Sequence, residues 1–366
     1  MPLDYILTAD SPTLPMTSFM DSITDHELIY EFFCNTPMER CRVVEVREGR
    51  SDVISHIREL SDSLKPLPHL ERLTLHTWSW NWEGARARLF AQGMDTFAIS
   101  APNCTHVHLH NAFTTIRSRS LLSFTLRFDS ESPRPTFRVL YRMMSAFDAN
   151  ILQHIELAYA ASDLDLPGVQ TPCLPPIELP NLRSLRVEGS TSFVTTVLRT
   201  LAWSRRDIRL RVKAWTVNGP EDCLNDQHQV LRLCYPRRHE TLGVHVGHVD
   251  EYAHAQQTSV CTWSETPSGD LKPDRSITFS GALNPCPWHS TAAAAISICG
   301  PEEVIAFSLS LTEADWKERT IPWDTLLTSL PKLYFLHPFD RIQAHVGPIP
   351  DTHVLATIFR SCAPPL

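Results

Sequence analysis

The chain has 366 residues, enough for a large core, and its 33 Lys and Arg against 41 Asp and Glu give a formal net charge of −8. No block of like charges reaches five residues, which speaks against a nucleic-acid face, and the longest apolar run, residues 291–299, falls far short of the ~20 residues that cross a bilayer. Pro is abundant at 28 and Gly scarce at 12, so strand–helix units stopped by Pro turns are expected rather than antiparallel meanders. The start lacks a basic stretch followed by an apolar run, so no secretory signal is read. The ten Cys are scattered without a C-x-x-C pair and read as reduced, mostly buried thiols of a cytosolic or nuclear protein.

In chain order, residues 1–35 are an N-terminal segment, read as a cap or a degenerate docking element. Within it residues 24–33 (TDHELIYEFF) predict a short helix with Leu28, Ile29, Phe32 and Phe33 on one side. Cys41, Val44 and Val46 then set a 1-4-6 spacing of apolar residues. Ser51 opens a helix with Val53, Ile57, Leu60 and Leu64 on one stripe, ended by Pro66 and Pro68. The 1-4-6 spacing returns at Leu70, Leu73, Leu75; at Cys104, Val107, Leu109; at Leu121, Phe124, Leu126; at Leu152, Ile155, Leu157; and at Leu182, Leu185, Val187. From Cys41 onward the intervals are 29, 34, 17, 31 and 30 residues. Four have room for a helix or long loop on the return; the interval of 17 has room only for a loop.

Trp78, Trp80 and Trp82 share a side if their stretch is extended, and read as a patch covering the repeat edge. Outer helices are expected at Phe137, Leu140, Met144 and Phe147, and at Val194, Val197, Leu198 and Leu201, the second beginning at residues 190–192. Residues 164–180 are Pro-rich and expected to run extended. Ile208, Leu210 and Val212 alternate as a strand. Regularity then falls away through turn clusters such as NGPED and PSGD, with strands at 242–249 and 275–280. Val304, Phe307 and Leu309 restore the spacing, LPKLYFL supplies Leu333 and Leu336, and a last helix from Asp351 carries Val354, Leu355 and Ile358. The chain stops where another strand would be expected.

Two stretches name a scaffold, residues 67–75 (LPHLERLTL) and 179–187 (LPNLRSLRV). Each has a Leu-Pro opening and then the L-x-x-L-x-L/V spacing of a leucine-rich repeat. A unit of this kind cannot bury its apolar side alone, so neighbours must stack on it. The expected fold is therefore α/β, an irregular leucine-rich-repeat solenoid with parallel strands on the concave side and helices and loops outside. Residues 36–212 form the repeat region and 213–366 its less regular continuation.

With LPHLERLTL, LPNLRSLRV and LPKLYFL, residues 36–366 resemble the F-box and leucine-rich-repeat proteins of mushroom-forming fungi, in their repeat region only. The F-box is missing or degenerate, since only His26, Glu27, Leu28, Ile29 and Phe33 follow its pattern. The resemblance implies a substrate-recognition subunit whose repeats hold a protein, and whose F-box docks the adaptor subunit of a cullin ubiquitin ligase.

At positions 3, 5 and 7 of a 1-4-6 strand the side chains point to the concave side. This gives a polar partner-binding surface of Glu45, Arg47, Arg72, Thr74, His76, His106, His108, His110, Arg127, His154, Glu156, Arg186 and Glu188, with Ser123, Thr125 and Ser184 between them. The HVHLH run puts three imidazoles on one side of a strand, which suits Zn²⁺, a proton-sensitive contact or simple solvation; same-side neighbours ~6.5–7 Å apart chelate poorly, and no metal site is assigned. A second group, His239, His245, His248, Asp250, Glu251 and His254, lacks a ligand pattern and reads as a solvated loop. No G-x-S-x-G, P-loop, G-x-G-x-x-G or H-E-x-x-H is present. The reading is a protein-interaction scaffold without cofactor, catalytic residue, nucleic-acid or membrane partner. Its alternatives are a stand-alone repeat protein without ligase attachment and a metal-dependent hydrolase using the His-rich strand.

Overall fold

A computed structural model of the chain describes residues 3–8, 41–47, 66–76, 98–129, 134–161, 174–204, 208–216, 220–235, 243–251, 255–263, 275–281, 288–299, 306–310 and 335–338. The expected helices at 24–33, 51–64 and 351–358, the Trp78–Trp80–Trp82 patch and most of the Pro-rich 164–180 stretch lie outside these residues. The protein is α/β with a large, mostly parallel sheet and few helices. It divides into two compact units, Met1–Arg186 with Thr200–Arg206, and Val187–Arg199 with Asp207–Leu366, whereas the sequence puts its change of regularity at residue 212.

In the first unit, strands β1 (Leu3–Thr8), β2 (Cys41–Arg47), β3 (Arg72–His76), β5 (His106–His110), β7 (Ser123–Arg127) and β8 (His154–Ala158) lie side by side, each parallel to the next. Two shorter strands, β4 (Ala98–Ser100) and β6 (Thr115–Arg117), pair with each other in a separate two-stranded sheet. β6 occupies the 17-residue return, where no helix forms. β1 is an addition that the mixed composition of the first residues did not announce.

The 1-4-6 residues are the core. From Leu70 to Leu185, every one of them in the first unit is almost fully buried, with Leu70, Cys104, Leu109, Leu126, Leu157, Leu182 and Leu185 at 0% exposure. Burying one such side chain contributes ~1.5–3 kcal/mol. The alternation follows from the strand pleat, which sends successive side chains to opposite sides.

The backbone repeats along with the side chains. The carbonyl of Glu71 accepts from the N–H groups of both Thr105 and His106. The Thr105 carbonyl accepts from Leu122 and Ser123, that of Leu122 from Gln153 and His154, and that of Gln153 from Arg183 and Ser184. The Leu-Pro opening is a tight turn: Leu70 N–H donates to the Leu67 carbonyl at 3.2 Å and Leu182 N–H to the Leu179 carbonyl at 3.3 Å. Pro suits the second position of such a turn because its φ is already fixed there. A third copy, Ala101-Pro102-Asn103-Cys104, closes identically at 3.0 Å. Asn103 Nδ2 then donates to the Pro68 carbonyl (2.7 Å), and Asn181 Nδ2 to the Asn150 carbonyl (2.5 Å), tying successive units together.

Helix α1 (Phe137–Ser145) is capped by Thr136, whose hydroxyl accepts from Val139 N–H at 3.3 Å, and buries Phe137, Leu140, Met143 and Met144. Phe147, expected on this stripe, is buried just beyond the helix end. β9 (Ile177–Glu178) follows, and then β10 (Ser184–Ser190), whose first residues belong to this unit. Helix α2 (Thr191–Thr200) starts where Ser190 Oγ accepts from Phe193 N–H (3.1 Å), and β11 (Leu201–Ala202) pairs with β9. Val194, Val197 and Leu198 of α2 are buried as expected. A Cβ placed on Gly189 would collide with Cδ1 of the buried Phe193. Gly189→Ala is therefore expected to cost ~1–3 kcal/mol through overpacking, read as a lower urea midpoint at unchanged m-value.

The second unit departs from the expectation of parallel strand–helix units. Its strands β12 (Arg209–Thr216), β13 (Gly243–Glu251), β14 (Ala255–Trp263), β15 (Arg275–Gly281), β16 (Ala306–Ser310) and β17 (Phe335–Pro338) are ordered β12-β15-β14-β13-β16-β17. β13–β14 and β14–β15 are antiparallel and the other neighbours parallel, so a meander is present after all. Helices α3 (Pro220–Cys234) and α4 (Trp288–Cys299) stand where the sequence suggested turns and a short apolar run. Pro220 opens α3, a favourable place for it because Pro has no N–H to leave unpaired in the first turn. α3 and α4 are joined by a buried hydrogen bond from Thr291 Oγ1 to Gln227 Oε1 at 2.6 Å. Among the described residues no helix is long and apolar enough to cross a membrane.

Candidate functional site

Because β3, β5, β7 and β8 pair in register, their outward residues form rows across the strands, neighbours in a row ~4.8 Å apart. One row is Arg72, His106, Ser123, His154. The next is Thr74, His108, Thr125, Glu156, with Glu45 of β2 opposite Thr74. The third is His76, His110, Arg127, with Arg47 opposite His76. Apart from Arg47, these residues are exposed or half-buried while their described strand neighbours are buried. The side chain of Arg47 lies outside the described set. Glu188, in the second unit, pairs with Lys213 (3.8 Å).

Charges on this face are largely compensated within it. Glu156 Oε1 lies 3.3 Å from Arg186 and 3.7 Å from Arg127. That oxygen is closed to water and accepts no well-aligned hydrogen bond, so both contacts are ion pairs. Each pair at this half-exposed surface contributes ~0–1 kcal/mol.

At the far end of the rows, the His76 and His110 rings stack with centroids 4.3 Å apart. His110 Nε2 is 3.2 Å from Asp129 Oδ1. Asn111 donates to Asp129 Oδ2 (2.5 Å) and accepts from the Asp129 N–H (2.9 Å). Burial works to raise the Asp129 carboxyl, but the hydrogen bonds from Asn111 and His110 and the nearby imidazoles outweigh it and hold it below its ordinary value. Asn111 can close this loop because its φ of 52° is in the left-handed region, which Asn tolerates better than most residues. Tyr159, the equivalent residue after β8, has the same φ of 52° and receives the Arg134 guanidinium over its ring at 4.9 Å.

Sequence reasoning missed Asp129, Asn111, Thr105 and Arg183, since each sits just outside a strand. An Asn or Asp directly after an alternating stretch was the available signal. In the second group, His245 is half-exposed on β13; His239 and His254, and the side chains of His248, Asp250 and Glu251, lie outside the described residues. Among the described residues no three His, Cys, Asp or Glu side chains are arranged to hold a metal ion. The described thiols are mostly buried, and burial pushes Cys104 up to about 11 and Cys234 to about 12, far from a reactive thiolate.

His108 and His154 are held below the ordinary value of 6.5, in both cases chiefly by burial. For His108 the Glu156 and Glu45 carboxylates work against that shift, and His110 and Arg127 add to it. For His154, Arg183 and His106 add to it. Below 6.5 the unfolded chain then binds more protons than the folded one, so this contribution is full above 6.5 and is lost as pH falls. The melting temperature is expected to drop on acidification from about pH 7 to about pH 5, with a shallower slope in His108→Gln.

Comparison of the chain with protein-family models, with curated proteins and with solved structures found no match. What fold and face define is a class: an α/β protein with a large, mostly parallel sheet that carries an exposed polar face in register across one unit.

Proposed function

We propose that the chain is a protein-binding scaffold of leucine-rich-repeat type, holding its partner on the polar strand face of the first unit. The observation that carries this reading is the recurrence of one arrangement at successive strands. Each has buried 1-4-6 residues, a shared carbonyl at the strand start and an outward polar row. A parallel sheet is usually covered on both sides, so its near-continuous polar side is a surface in want of a use. Function on such a scaffold resides in the side chains it displays.

Substrate recognition within a cullin ubiquitin ligase is the form of this reading that the resemblance to F-box proteins supplies. A stand-alone scaffold without ligase attachment is the second form. Co-purification of the cullin adaptor with the full chain separates the two.

The scaffold itself is tested by placing a photo-crosslinking residue at Thr125, in the middle of the face, or at Arg138, exposed on α1. Crosslinks to a captured protein are expected from position 125 and not from 138. Equal crosslinking from both, or from 138 alone, would refute the use of this face.

A further inference from the structure

Building on the scaffold reading, we infer that the row Arg72–His106–Ser123–His154, continued by Arg183, is the docking line for an acidic, extended segment of a partner protein, gripped more tightly as pH falls.

Charge complementarity carries the inference. No carboxylate stands in this row, although the chain as a whole carries −8. Its neighbour Glu71 is paired with Arg42 at 3.9 Å. In the middle row Glu156 already has two guanidiniums, and in the far row Asp129 has His110. The surplus positive charge is therefore left where Arg72 and Arg183 stand, both exposed. The Arg183 and Ser184 N–H groups bond the Gln153 carbonyl, which puts Arg183 beside His154.

The imidazoles make the line proton-dependent. Thr105 Oγ1 donates to the Glu71 carbonyl (3.0 Å), so its one proton is committed. It can then only accept from His106 Nδ1, 2.8 Å away. A neutral His106 therefore presents a bare Nε2 acceptor to solvent, and becomes a donor to a carboxylate only when protonated. Around it in the row are Arg72 of β3 and Ser123 of β7; around His154 are Ser123 of β7 and Arg183 and Ser184 at the start of β10. None is acidic, so a bound carboxylate supplies the counter-charge that a protonated imidazole in this row finds nowhere else in it. By linkage, affinity for the carboxylate rises as pH falls through the histidine range. From Arg72 to His154 is three strand spacings, ~14 Å, the length of ~4 extended residues.

The test uses the full chain and a fluorescent peptide of about eight glutamates, long enough to cover the row, with oligothymidylate as competitor. Anisotropy should show binding that tightens several-fold from about pH 7.5 to about pH 5.5 and weakens with salt. Arg72→Gln with His154→Gln should weaken it about tenfold or more, and His106→Gln should flatten the pH dependence. Binding that ignores pH or these variants, or oligothymidylate outcompeting the peptide, overturns the inference. If the Thr125 crosslink forms but the glutamate peptide does not bind, the scaffold stands and the acidic partner falls; if neither is seen, both fall.

Discussion

Leu185→Asp is expected to abolish the cooperative thermal transition of the protein. Leu185 is at 0% exposure, the fourth residue of a 1-4-6 set whose other members, Leu182 and Val187, are also at 0%. A carboxylate there has no partner, and an unpaired buried charge costs several kcal/mol even after relaxation. Total stability of a domain is only ~5–15 kcal/mol, so this one change consumes much of it. Leu73→Asp, at 2% exposure on β3, should act alike. Arg186→Gln, one residue from Leu185 but on the polar face, should shift melting far less, since its ion pair with Glu156 is half-exposed. Circular dichroism melts of the three variants make the comparison. Unchanged melting of both Asp variants would mean that the assigned register is wrong.

Phe124→Ala comes next in expected effect. Phe124 is the fourth residue of its set, 1% exposed, where its counterparts are Leu73, Val107, Ile155 and Leu185. The larger ring fits because the return from β7 passes through α1 and brings Phe147 against it, with centroids 5.0 Å apart and planes tilted by 54°. Removing the ring leaves a cavity beside Phe147 and should cost ~3–5 kcal/mol. Phe124→Leu keeps the residue type of the other strands and should cost appreciably less. Urea unfolding distinguishes them; equal losses for Ala and Leu would mean that the aromatic pair, and not the filled volume, is what matters.

The first unit was legible in the sequence because its signal is redundant. Leucine-like residues at three fixed positions, repeated at nearly regular intervals, give strand, register and outward face together. The loop return before β7 followed from its 17-residue interval alone. Ala101-Pro102-Asn103-Cys104 escaped notice because its turn is closed by backbone atoms, which any residue supplies, while the visible label, Leu-Pro, was absent.

The second unit hid its periodicity behind polar residues that are buried and satisfied. The inner side of β14 is Thr258, Val260 and Thr262, so hydropathy does not alternate there; Thr262 is accommodated through Tyr235, whose hydroxyl lies 2.9 Å away. The buried stripe of α3, Cys223, Gln227, Val230, Leu231 and Cys234, is helical in spacing but broken by Gln227, whose partner is on α4. Such pairings are between residues distant in the chain, and no local pattern announces them. The same is true of the Asn111–Asp129–His110 loop on the polar face.

The most direct test of the account sets fold against binding at one residue. Thr125 is half-exposed between His108 and Glu156, and Thr125→Arg adds bulk and charge to the centre of the face without entering the core. Melting and affinity capture should be measured side by side on this variant and the parent chain. The account predicts near-identical melting with loss of the captured partner. Capture at parental levels by a folded Thr125→Arg would contradict it, because the strand face would then not be what the scaffold uses.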